Sequence, residues 1–411
     1  MAIIKPFKAT RPAKDKVVLV ASRSYQDYSK KELEAELSFN PFSFLHIINP
    51  GYKFHKKVSG PERFKLVHNR FLEFLENSIL IKDTNTSFYL YQIEKKNFKC
   101  CGLFCGTSVK DYQNDVIKKH EHTMQPREEL FAEYLKTVEF NAEPVLMTYA
   151  DDKTIAKIIE RERKKEPEYL FTSTDNTTHS LWTISNKKII DTLVNAFKKI
   201  DSLYIADGHH RSASSNLLSE NSKKNNPGHT GAEPYNYFMS YLIPESEIRV
   251  YEFNRMVKDL NGLSKEQFLI ELDGLFRIEN QGSVLYNPSK KHHFNMYLDG
   301  EFYSLYLRKK VYEFTDALSE LDTQILFKTI LEPILGIHDL RNDKRIQYGY
   351  GKHNVIRMKN DIDKGKFAIG FSLVPTTIGE IKAIADAGLF MPPKSTYIEP
   401  KLRSGLAIYE F

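Results

Sequence analysis

Apolar and polar positions along this 411-residue chain alternate between strand and helix periods, which predicts a mixed α/β protein. The sharpest change falls at Leu203–Ser215. Leu203, Tyr204, Ile205 and Ala206 form a short apolar run of the kind that ends a buried strand. Gly208 follows where the chain must turn, and glycine reaches positive φ without penalty. From His209 the apolar residues Ala213, Leu217 and Leu218 recur at helical spacing, so a helix is predicted to start at the turn.

The same reading predicts the other elements. Lys16–Val20 and Ser43–Ile48 read as strands. Ser29-Lys30-Lys31-Glu32 is a capping box opening a helix, and Pro61 suits the first turn of another over Glu62–Leu75. Phe88–Ile93 and Cys100–Val109 read as paired strands, helices are expected over Arg127–Thr137 and Ile155–Lys165, and Thr178–Ile184 is a strand carrying the sole tryptophan, Trp182. Residues 219–237 lack periodicity and read as a mobile cover. Ser264–Gln267 caps a further helix, strands are expected around Lys291–Arg308, Glu313–Leu331 reads as the longest amphipathic helix, and Thr377–Glu380 is a third capping box.

Composition narrows the function classes. An apolar fraction of 41% supports a sizeable core, and no run of about 18 apolar residues or signal-peptide core is present, so a cytoplasmic protein without membrane contact is expected. Lys and Arg exceed Asp and Glu by 59 to 53, a net +6 spread along the chain. That thin excess favours small anionic substrates over nucleic acid. The three cysteines, Cys100, Cys101 and Cys105, alternate in a predicted strand, where a packing role outweighs a reactive one.

The chemistry concentrates at the central turn. A strand, a glycine and a helix N-terminus leave backbone N–H groups and the positive dipole end pointing outward, which suits an anion. His209, His210, Arg211 and Ser212 add donors and charge, with Arg211 suited to bidentate phosphate contact. Asp207 would repel a phosphate, so it is expected to take a proton, hold a metal or orient an imidazole; the simpler alternative is a helix N-cap. His120, Glu121 and His122 form a second polar cluster, read as a substrate contact or as half of a histidine metal site with His209 and His210, against a plain polar loop. Trp182 is by default a core residue, and an indole can also wall a pocket. Met391–Tyr397 and Pro400–Gly405 present Lys394, Ser395, Thr396, Lys401 and Arg403 on proline-stiffened backbone, a second phosphate-handling element or a tail that closes a sheet. No Walker-type loop or GxGxxG fingerprint is present.

Ile205-Ala206-Asp207-Gly208-His209-His210-Arg211 resembles the signature of free-serine kinases on the ParB/sulfiredoxin-type fold. Further blocks are similar to the pyrophosphate-dependent branch: Asn40–His46, Lys119–Thr123, His179–Trp182, Leu331–Ile337 and Met391–Tyr397. Ala21–Tyr25 departs from the double proline of many relatives. The resemblance implies an α+β fold, with a ParB/sulfiredoxin-like catalytic core over 1–240 that carries the turn at 203–215. It further implies a second α/β domain over 241–375 and a C-terminal helix and loop over 376–411 returning to the active-site cleft.

The activity implied is transfer of a phosphoryl group from inorganic pyrophosphate to the hydroxyl of L-serine, giving O-phosphoserine for serine or cysteine metabolism. Mg²⁺ is the expected cofactor. Asp207 is the favoured proton acceptor and Glu121 the second. Gly208, His209, His210, Arg211, Ser212, His120, His122, Trp182, Lys394, Ser395, Thr396 and Lys401 are the expected substrate contacts. An ADP- or ATP-dependent serine kinase is the alternative. A ParB-like nucleotide- or DNA-binding module and a metal-dependent hydrolase are the competing classes.

Overall fold

The computed structural model describes residues 1–308, 310–351 and 354–411. The fold is mixed α+β, divided into two compact units. The first comprises residues 1–118, 123–248 and 400–411; the second comprises 119–122 and 249–399. The break expected at 240 falls inside the strand Tyr237–Pro244, whose apolar run continues through the fully buried Ile243. Residues 376–399 fold with the second unit, and only the last twelve residues belong to the first.

A nine-stranded sheet forms the first unit. Its order is Ile117–Lys118, Leu203–Asp207, Val145–Tyr149, Tyr237–Pro244, Phe98–Ser108, Phe88–Lys95, Thr178–Ile184 and Tyr169–Thr172, with Ile4–Lys5 also on Phe98–Ser108. Pairing is antiparallel except for Leu203–Asp207 with Ile117–Lys118 and Tyr237–Pro244 with Val145–Tyr149. Phe98–Ser108 is central and buried along nearly its whole length. Cys101, Leu103 and Cys105 join one hydrophobic core with Trp182, Phe197 and Ile205. Tyr91, Phe104 and His179 stack beside it, with Tyr91 5.4 Å from Phe104 and 5.9 Å from His179. All three thiols are free and buried, and burial pushes Cys101 and Cys105 up to about 12, so they are packing groups.

The second unit is built on a six-stranded antiparallel sheet ordered Phe276–Gly282, Glu301–Leu307, His293–Leu298, Ile369–Ser372, Asn254–Val257 and Ile346–Gly349. One face carries a core of Phe268, Phe294, Leu305 and Ile330. The other carries Met256, Tyr297, Phe302, Met358 and Phe367.

All three capping boxes form, at Ser29–Glu32, Ser264–Gln267 and Thr377–Glu380. Four expectations are corrected. Val17–Val20 and Leu45–Ile48 are single helical turns, not strands. Phe44, Leu45 and Ile47 are fully buried, so tertiary packing overrides β-propensity there. The helix expected over Glu313–Leu331 is confined to Asp322–Leu326 and a π-turn at Phe327–Leu331. The segment read as a mobile cover is helical to Lys224, and the Glu233 carboxylate then accepts from Thr230, Gly231 and Asn236 to fasten the loop.

Candidate functional site: a glycine turn with a carboxylate between two cations

Leu203 and Ile205 anchor their strand in the core at 0% exposure, and the strand ends at Asp207. Its pairing with Val145–Tyr149 slips between Ile205 and Asp207, which partner Met147 and Leu146 respectively. Ala206 is the extra residue of this bulge, a device that re-aims the side chain that follows. Gly208 then takes φ +107° and the helix His209–Lys224 begins. A Cβ on Gly208 would lie 3.0 Å from Arg211 Nε and 3.1 Å from its Cζ. The backbone angle favours glycine, and the missing Cβ leaves room for the guanidinium that folds back over it.

That fold-back fixes the charges. Arg211 donates to the Pro144 carbonyl and lies 3.5 Å from Asp207 Oδ1, while Lys401 Nζ donates to Asp207 Oδ2 at 3.1 Å. Burial pushes the Asp207 carboxyl upward. The Arg211 and Lys401 charges outweigh it, with a smaller contribution from His209, and hold the group down at about 2. Asp207 is therefore ionised at neutral pH and occupied as a counter-ion. His209 is buried and His210 half-buried at the first two helical positions.

The C-terminal segment delivers Lys401. Ser404 and Ser22 exchange backbone hydrogen bonds of 2.9 and 3.2 Å, Ser404 Oγ donates to Glu143 at 3.3 Å, and Arg403 donates to Asp175 at 2.9 Å. Beyond them Ile408 bridges to Thr10, and Tyr409–Glu410 pairs with Phe140–Asn141. The tail both closes a small sheet and carries a cation to the turn.

Its partner loop at Ser22–Tyr28 contributes an acid that sequence reasoning missed. Arg23 pairs with Glu32 at 2.9 Å and lies over the Tyr28 ring, which fixes the short helical turn Tyr25–Asp27. Burial raises the Asp27 carboxyl. The Lys401 and Arg23 charges lower it, Asp207 raises it again and Arg403 lowers it, leaving the group above its ordinary value. Nothing in the local pattern around Asp27 marks it, because only folding brings this loop to the tail.

Two acids of opposite bias thus share one cation, Lys401. The family described as "Protein of unknown function (DUF1015)" matches residues 4–324. The chain belongs to that family. Curated proteins give no match. Solved structures similar to this DUF1015 chain include a free serine kinase mutant in complex with AMP, at 15% identity and TM-score 0.37, covering 74% of this chain and 91% of that one. SbnI with C-terminal truncation from Staphylococcus aureus is similar at 14% identity and TM-score 0.39, covering 74% and 85%. A conserved hypothetical protein from Pyrococcus furiosus is similar at 14% identity and TM-score 0.32, covering 74% and 94%.

Within the first unit of this DUF1015 protein, the fold gathers Asp207, Gly208, His209, His210, Arg211 and Lys401. Ser212 lies beneath the turn at 0% exposure, and its hydroxyl donates to the His209 carbonyl at 2.9 Å. Its expected substrate contact is corrected to a role inside the helix. Trp182 sits in the core and its indole N–H donates to the Lys165 carbonyl at 2.9 Å, which makes it a packing residue rather than a pocket wall.

His120, Glu121, His122, Lys394, Ser395 and Thr396 belong to the second unit. His120 is fully buried, with its carbonyl accepting from the Met391 N–H. His122 is exposed and stacks on Phe390 at 3.8 Å, so the two imidazoles do not share one environment as strand alternation predicted. Glu121 and Thr396 are partly exposed. Ser395 is buried and donates to the Pro392 carbonyl at 2.7 Å, which makes its hydroxyl a clamp within its own turn. Among the described residues, no helix is long and apolar enough to cross a membrane.

Proposed function

We propose that this protein is a free L-serine kinase that moves a phosphoryl group from inorganic pyrophosphate to the serine hydroxyl. The observation that carries the reading is the Asp207–Gly208–Arg211 turn. A left-handed glycine opens a helix N-terminus, and Arg211 and Lys401 are both within 3.5 Å of one ionised carboxylate. Pyrophosphate crowds negative charge onto a few oxygens, and its transfer depends on positioning and charge stabilisation. Helix N–H groups, Arg211, Lys401, His209 and His210 supply both in one place. The resemblance of residues 205–211 to free-serine kinases supports L-serine as the acceptor.

In this reading Asp207 is not the base. A carboxylate held near 2 by two cations is a weak proton acceptor at neutral pH, and its role is to aim Arg211 and Lys401. Asp27, shifted upward by burial despite Lys401, Arg23 and Arg403, is the better acceptor. It takes the serine hydroxyl proton as the oxygen attacks the nearer phosphorus of pyrophosphate. The bridging P–O bond breaks, phosphate leaves with the electron pair, and the proton passes from Asp27 to it.

The donor set around Asp207 does not suit a protein-held Mg²⁺, because both carboxylate oxygens face cations. The expected Mg²⁺ is therefore assigned to the oxygens of the donor, as part of the substrate, and no step depends on it.

The test is to incubate the protein with L-serine and, in separate reactions, pyrophosphate, ADP or ATP, and to detect phosphoserine by mass. Product with pyrophosphate is expected. Product only with a nucleotide replaces the donor, and no product with any donor refutes the assignment.

A further inference from the structure

The second unit holds a buried cation for which the reaction above has no use. Arg255, on the strand Asn254–Val257, is 1% exposed, and among the described residues no carboxylate pairs with it. Its Nη1 donates to the Phe253 carbonyl at 2.7 Å and its Nη2 to the Lys394 carbonyl at 3.1 Å. Tyr348 lies 5.9 Å away. Burial pulls the guanidinium down to about 10, against a smaller opposing effect of Tyr348, so it stays charged at neutral pH. Burying a charge without an acid is costly, and an apolar side chain of similar volume would pack without that cost. What the planar fork does here, and an apolar group could not, is tie the strand to the turn at 392–396.

That turn is held in an uncommon shape. Lys394 has φ +59°, a region that residues other than glycine seldom enter. The next residue locks it: Ser395 Oγ donates to the Pro392 carbonyl at 2.7 Å and lies 2.9 Å from Thr323 Oγ1, while Thr376 Oγ1 donates to the Ser395 carbonyl at 3.4 Å. The Lys394 side chain itself is exposed, its ammonium resting 5.4 Å from the centre of the Phe253 ring. If backbone shape were the only demand, glycine would meet it with less strain. A lysine at this position is informative because its ammonium is displayed on a backbone fastened from three sides.

We infer that the turn at 392–396 is an anion-contact element, in which Lys394 touches a phosphate oxygen and Arg255 is the positioning residue that holds it. The choice of ligand rests on the phosphoryl-transfer reading; the geometry of the turn does not.

The test uses the full-length protein and calorimetric titration with inorganic pyrophosphate, without serine. Lys394→Gly should keep or raise the thermal midpoint while weakening pyrophosphate affinity roughly tenfold or more. Arg255→Gln should also weaken it, and should add nothing further in the Lys394→Gly background, because it acts only through Lys394. Unchanged affinity in Lys394→Gly, equal losses from Arg255→Gln in both backgrounds, or no binding by the unaltered protein would overturn the inference. Should Arg255→Gln not fold, Lys394→Gly set against Lys394→Arg decides, with retained affinity expected only for arginine. Pyrophosphate binding that depends on Lys394 in a protein that makes no phosphoserine would remove the kinase reading and leave this one. Phosphoserine production with Lys394→Gly affinity unchanged would do the reverse.

Discussion

Gly208→Ala is the most incisive single change available at the turn. The residue sits at φ +107°, where a side chain costs about 1–3 kcal/mol in backbone strain. The new methyl would also lie 3.0 Å from Arg211 Nε and 3.2 Å from one of its terminal nitrogens, so the guanidinium must move. Giving way, even slightly, misaligns its contacts to the Pro144 carbonyl and to Asp207. Folding stability should fall by the strain alone, a cost the rest of the first unit can absorb.

Affinity for the donor should fall further. Losing a charge-assisted phosphate contact costs about 1.5–3 kcal/mol, and about 1.4 kcal/mol corresponds to a tenfold change. The pyrophosphate KM should therefore rise by about one to two orders of magnitude, with the serine KM little changed. Steady-state kinetics with each substrate varied in turn gives both numbers. Arg211→Ala should produce a similar KM, and the double variant should be no worse in KM than either single one. Stability losses, by contrast, should add, because the φ strain persists without Arg211. A folded Gly208→Ala protein with an unaltered pyrophosphate KM would refute the placement of phosphate at this turn.

Three further outcomes are expected. Asp207→Asn should abolish turnover and cost on the order of 1 kcal/mol at pH 7 after allowing for solvent screening of a partly exposed group. The carboxyl is depressed to about 2 in the folded protein, so this contribution is complete above about pH 4 and vanishes as pH falls through 2; denaturant melts at pH 7 and pH 2 check it. Asp27→Asn should lower kcat by about 10²–10⁴ with the pyrophosphate KM retained, and should erase the acid limb of the kcat profile; an unchanged limb removes Asp27 as the base. Asp322 is 5% exposed and raised to about 7, chiefly by burial, with the His292 N–H opposing that rise and Glu380 adding to it. Its folded value lies above its unfolded one, so stability is lost as pH rises from about 4 to 7. Asp322→Asn should therefore gain on the unaltered protein between pH 5 and pH 8, by at most about 3 kcal/mol; a constant difference in melting temperature across that range would contradict the assignment.

The turn was readable because its strand, glycine and first donors are consecutive in the chain. Leu203 to Ile205 supply the strand, Gly208 the angle and His209 to Arg211 the donors, and the fold places each where local pattern put it. Capping boxes share this property, since both partners lie within four residues. Elements that depend on distant partners were not readable. Phe44 and Ile47 drive a helical turn through residues with strand propensity because Phe64 and Val67 lie beneath them. Ser212 looks like a phosphate ligand in sequence, yet helical geometry turns its hydroxyl back to His209. Asp27 has no local mark at all and acquires its environment only when the tail crosses it at Ser22.

The contrast between Asp27 and Asp207 gives the site a division of labour that composition could not reveal. An acid beside a phosphate appears self-defeating until the cations are counted around each carboxylate. Lys401 donates directly to Asp207, and Arg211 lies 3.5 Å away, so that carboxylate arranges positive charge and keeps none of its basicity. Asp27 feels Lys401, Arg23 and Arg403 more weakly than it feels its own burial. It therefore keeps the affinity for a proton that an alcohol nucleophile requires. Exchanging the two environments would leave the residues in place and abolish both roles. The chemistry proposed here thus resides in which carboxylate the tail lysine reaches, a choice made by the Ser22–Ser404 pairing that seats the tail against the first loop.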